Sequence, residues 1–203
     1  MEGTNPVNKK LSAALSGGAV LVLALTGLTG CSSEDNSDDK ANDWAKKVCD
    51  QVQPQLKNIE SANTSIQEAT ADNSTPEDVQ KTDSAAFQKI SDAYAALGKA
   101  VNNAGAPPVE NGAKTQKEAV AELNGTSKAY AELRAKVDEL DTKDQAKFAD
   151  GLKGVADDLE KLSQSGDDAL KKLQSGDVGQ AMAKQTGCQR PSGAGPASAS
   201  PGA

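Results

Sequence analysis

The chain of 203 residues carries 22 lysines and arginines against 29 acids, a net charge of −7, which disfavours nucleic acid and anionic headgroups as partners because both call for a basic surface. Histidine is absent, and with it go the commonest general base and the commonest metal ligand. The aromatic residues are few (Trp44, Phe87, Tyr94, Tyr130 and Phe148), and alanine is abundant in their stead, a composition suited to close helix packing rather than to a large apolar cavity.

Lys9 and Lys10 precede an apolar block from Ala19 to Leu28, and Leu28-Thr29-Gly30-Cys31 closes it. A basic region, a short apolar region and a small-residue cleavage site in that order form a secretory signal peptide. The block is about ten residues long, half of the ~20 that a membrane-spanning helix needs. The Leu-Thr-Gly-Cys ending resembles the lipobox of bacterial lipoproteins. That resemblance implies cleavage before Cys31 and a lipid on its thiol, making residues 1–30 a leader and Cys31 the attachment to the outer face of the cytoplasmic membrane. An ordinary signal peptide cut elsewhere is the alternative. Two acyl chains anchor stably where a single one binds only marginally. Glu2 is out of place in a basic region, whereas Val7-Asn8-Lys9-Lys10 suits it, which points to a translation start at position 7. Residues 32–40 contain nothing apolar to bury, the composition of a disordered segment, so 31–41 is expected to be a lipidated cysteine on an acidic tether.

From Asn42 the pattern is helical, without alternating strand-like blocks. Trp44, Val48, Val52, Leu56, Ile59 and Ile66 fall on one face of a first helix, with a kink expected at Pro54. Thr75-Pro76-Glu77-Asp78 opens a second: Thr75 can cap, proline suits the first helical position, and the acids meet the positive end of the dipole. Its stripe is Val79, Phe87, Ile90, Tyr94, Leu97 and Val101, and Asn102 to Pro108 breaks it. Asn111 is placed to cap a third helix bearing Val120, Leu123, Tyr130, Leu133, Val137 and Leu140, in which Gly125 costs about 1 kcal/mol relative to alanine.

Thr142-Lys143-Asp144-Gln145 has the form of a capping box and opens a fourth helix through Phe148, Leu152, Val155, Leu159 and Leu162, carried past a weak point at Gly166 to Leu173. Gln164-Ser165-Gly166-Asp167 recurs as Gln174-Ser175-Gly176-Asp177, and the second copy is expected to end that helix. A short terminal helix through Val178 and Met182 leads to Cys188, and residues 189–203, mostly Pro, Ser, Gly and Ala, are expected to be a disordered tail.

Four segments of about 28 to 32 residues are roughly 42 to 48 Å long, and each must bury one apolar stripe. Short connections then predict an all-α fold, an up-down-up-down four-helix bundle over 42–188 with a short C-terminal helix. In that topology the end of the fourth helix lies beside the start of the first, which brings Cys188 to Cys49. An even pair left over in an exported chain reads as a disulfide, with two free thiols as the alternative, and two cysteines fall short of a zinc set.

The search for chemistry yields no catalytic, cofactor-binding or metal-ligating residues. Asp157-Asp158 and Asp167-Asp168 are neighbours in sequence and so diverge on a helix, which makes them solvated surface. Gly151 and Gly154 lie on a helix and suggest tight packing rather than a phosphate cradle. Asn63, Asn73 and Asn124 fit the glycosylation pattern only as background. Tyr94 and Tyr130 belong to core stripes, and Trp44 reads as core beside the disulfide, or else as a ring touching lipid or a partner.

The Leu28–Cys31 run, the Ser/Asp-rich stretch after it, the start Asp43-Trp44-Ala45-Lys46-Lys47-Val48-Cys49 and the Cys188 ending together resemble the small secreted lipoproteins of high-GC Gram-positive bacteria. The resemblance implies an address and a helical body but no activity. The expectation is a non-enzymatic, lipid-anchored bundle acting through protein contacts outside the cytoplasm, the alternative being a small-molecule or cation-binding sensory module.

Overall fold

The computed structural model describes residues 33–71, 74–165, 171 and 173–189. Over these the chain forms α1 (Ser33–Ala71), α2 (Pro76–Ala104), α3 (Gly112–Asp138), α4 (Gln145–Ser165), α5 (Gly176–Ala183) and a 3-10 turn at Thr186–Cys188, with no strand among the described residues. The leader, Cys31, the Asp167-Asp168 pair, Asn73 and the 190–203 stretch lie outside them. So does the expected weak point at Gly166.

Side-chain bonds give the order of packing. Trp44 near the start of α1 meets Gly105 just past the end of α2, and Lys89 reaches Ser61, so α1 and α2 run antiparallel. Ser91 donates to the Ser127 carbonyl, and Gln80 bonds the carbonyls of Val137 and Leu140, which sets α3 antiparallel to α2. Lys136 pairs with Asp158, turning α4 back along α3. Close backbone packing joins α1 to α2, α2 to α3 and α3 to α4, while α5 and the 3-10 turn return to α1. The all-helical fold closed by a Cys49–Cys188 bridge follows the sequence expectation.

The core has two halves. One buries Trp44, Ala45 and Val48 of α1 with Val101, Ala119 and Leu123, and is completed by Leu173 and by Val178 and Ala181 of α5. The other joins Ala62 of α1, Phe87 and Ile90 of α2, Leu133 and Val137 of α3 and Val155 of α4. Tyr94 packs against both. The fourth position in the bundle is therefore held by α4 in one half and by Leu173 and α5 in the other.

Several boundaries differ from the sequence reading. The segment read as an acidic tether is helical from Ser33, nine residues before the expected start at Asn42. Ala41 is buried, so the apolar stripe begins a turn before Trp44, and extending a nucleated helix is far cheaper than starting one. Pro54 lies inside α1 without ending it. Thr75 caps α2 as expected, accepting from Asp78 N–H at 3.3 Å. Asn111 holds the cap position of α3 in the left-handed region, φ 58°, and its side chain makes no capping bond. At α4 the cap is Asp144, whose Oδ1 accepts from the N–H groups of Ala146 and Lys147 at 3.1 and 3.2 Å; Thr142 lies two residues too early. The second Gln-Ser-Gly-Asp run turns the chain, with Ser175 at the cap position of α5.

Candidate functional site

Two of the three cysteines lie among the described residues, and the fold brings them together. Cys49, fully enclosed on α1, is bonded to Cys188 across a sequence separation of 139, with Cα atoms 4.9 Å apart. The approach of the two segments is close: a Cβ at Gly187 would overlap the carbonyl of Cys49, so only glycine fits beside the bridge.

Trp44 sits one turn before Cys49 with 4% of its surface exposed, and its indole N–H donates to the Gly105 carbonyl at 2.8 Å. Its place is in the core, leaving no ring face for a lipid or partner. Tyr94 and Tyr130 stack at 5.8 Å with planes 10° apart, and Phe87 meets Tyr130 at 6.1 Å. Burial, with the neighbouring Tyr94, pushes the Tyr130 phenol up to about 12, and the stacked pair serves packing. Of the glycine pair on α4, Gly151 is close-packed against Leu140, whereas Gly154 is exposed with nothing near it, so the tight-packing expectation holds at one position and fails at the other.

The acids of α4 behave as surface. Asp157 is exposed, and Asp158 accepts from Lys136 and Lys161, which hold its carboxyl below the usual carboxylate range. Among the described residues no group of three or more Cys, Asp or Glu side chains is placed to hold a metal ion, and no helix is long and apolar enough to cross a membrane.

Among its concavities the described surface carries a groove and a notch. A shallow groove of about 390 Å³ runs between α2 and α3, lined by Gln80, Lys81, Ser84, Ala85, Gln88, Arg134 and Asp138. Its cations are engaged: Lys81 pairs with Glu77, and Arg134 with Asp138 and Gln88. A polar notch of about 40 Å³ between the start of α1 and α5, lined by Asp38, Asn42, Asp177, Gln180 and Lys184 among others, is the size of one or two waters.

No family model, curated protein or solved structure matches this chain.

One residue that the sequence reading passed over stands out in the folded chain. Asp83 is 5% exposed on the inner face of α2, and its Oδ1 is enclosed without a hydrogen-bond partner. The signal was present as a gap of eight residues between Val79 and Phe87, with Asp83 four from each, where the helical rhythm calls for an apolar side chain.

Proposed function

We propose that this chain is a lipid-anchored, exported helical bundle that works through protein–protein contacts at the outer face of the cytoplasmic membrane, without catalysis of its own. The observation that carries the export reading is the Cys49–Cys188 bridge, since disulfides form and persist in oxidising compartments. It agrees with the leader, with the lipobox-like Leu28-Thr29-Gly30-Cys31, and with the resemblance to the small secreted lipoproteins of high-GC Gram-positive bacteria. The contact reading is supported by the build of the body. Stapled antiparallel helices hold long polar faces in fixed relation, and the groove between α2 and α3 is open and shallow rather than enclosed like the pockets that small ligands fill.

The test is cross-linking in intact cells expressing the tagged chain, followed by mass spectrometry, with Cys31→Ala as the mislocalised control. The expected result is a membrane-associated wild type, a Cys31→Ala variant released from the membrane fraction, and a captured protein that is lost with it. Retention of Cys31→Ala on the membrane overturns the lipid anchor. A correctly anchored wild type that captures nothing reproducibly overturns the contact reading and directs the search to ligands, by thermal shift.

A further inference from the structure

Asp83 occupies a position that the fold reserves for apolar groups. On α2 its neighbours one turn away are Val79 and Phe87, both buried, and Ile90 follows on the same stripe. Enclosing an ionised carboxylate without a partner is among the most destabilising arrangements in a protein interior, while the protonated carboxyl is far easier to bury. Among the described residues no counter-charge compensates it. On α2 itself Lys81 is taken by Glu77, and Lys89 reaches away to Ser61 on α1. On α1 Lys57, Glu60 and Glu68 are exposed. On α3 Arg134 is paired with Asp138 and Lys136 with Asp158, and on α4 Asp158 is shared with Lys161 while Asp157 is exposed. Burial alone acts on Asp83, pushing its carboxyl up to about 6.

Its location gives that burden a direction. The disulfide fastens the half of the bundle built on Trp44 and α5. Asp83 lies toward the other end, near Phe87, in the half that no covalent bond closes and where α4 packs its backbone on α3.

We propose that Asp83 is a proton-operated clamp on the unstapled half of the bundle: protonated, it lets the four helices close over the Phe87–Ile90–Val137 core, and ionised, it loosens that half while the stapled half stays folded. The folded carboxyl holds its proton more tightly than the unfolded chain does. The native state therefore binds more protons between the ordinary carboxylate range and about pH 6, stability falls as pH rises through that window, and it stays lowered above it. The inference is independent of how the chain is anchored.

The molecule carries its own reporters, Trp44 in the stapled half and the stacked Tyr94–Tyr130 pair toward the other. The experiment is urea unfolding of the full chain between pH 4.5 and 7.5, followed by tryptophan fluorescence and by tyrosine near-ultraviolet circular dichroism. It is run on the wild type, Asp83→Asn and Asp83→Leu. The wild type is expected to lose about 25-fold in its folded-to-unfolded ratio between pH 4.5 and 7.5, with the tyrosine signal lost at lower urea than the tryptophan signal. Both variants are expected to lack that pH dependence, and Asp83→Leu, which completes the apolar stripe, to be more stable than the wild type at pH 7.5. Parallel pH profiles in wild type and variants overturn the proposal, as does coincident loss of the two signals. Failure of both variants to fold at every pH overturns it too, since it would make Asp83 a required polar partner.

Discussion

At Trp44 the enclosed indole fills the α1–α2 seam, and its N–H satisfies the Gly105 carbonyl, one of the groups that a helix end leaves without an internal partner. Trp44→Phe keeps most of the ring and removes the donor. It is expected to cost about 1–2 kcal/mol, read as a lower urea midpoint at unchanged slope. Titrating side chains act in opposite senses. Asp144, held down first by the Lys147 N–H, and Asp158, held down first by Lys136, stabilise the fold above the ordinary carboxylate range and lose that contribution as pH falls through their lowered values. Asp83 works the other way. Together they place the stability maximum at mildly acidic pH, and equilibrium unfolding measured from pH 3 to 8 checks it: a maximum at or above neutrality would contradict the assignment.

The elements show what rhythm and capping chemistry can and cannot convey. Gly125 is exposed in the middle of α3, and a Cβ there would meet nothing. Gly125→Ala is expected to stabilise by about 1 kcal/mol and raise the melting temperature by a few degrees, while Gly151→Ala, which would press on Leu140, should not. The stripes of all four long helices were legible, because a buried face imposes its spacing on the residues that form it. Thr75-Pro76 was legible because both residues act locally. The start of α1 was not, since composition alone argued for disorder where a docked Ala41 carries the helix outward. Thr142 and Asp144 both suit a cap, and the choice between them depends on where the chain leaves the α3 turn, a tertiary matter. Asp83 was missed for a related reason. A stripe read only through its apolar members skips the polar residue buried among them.

For the molecule as a whole, the two core halves are held by different means. One has the disulfide, the other only packing and surface ion pairs such as Lys136–Asp158, which contribute little each. Chain-entropy arguments assign a bridge across so long a loop roughly 5 kcal/mol, although measured values are often smaller. The intact mass of the chain is expected to be lower by two hydrogens until reduced, and reduction should lower its melting temperature. Free thiols in a non-reduced sample would remove the staple from this account.

The bridge also has a mechanical consequence. Cys49 lies early in the bundle and Cys188 at its end, so a pull between the N-terminal and C-terminal sides of the chain travels through the sulfur–sulfur bond and bypasses the 139-residue span between them. Under tension only the short segments outside the ring bear load. Reduction would free roughly 500 Å of extra contour length at ~3.6 Å per residue. A chain stapled in this way transmits force from one side of the bridge to the other while the helices between carry none of it.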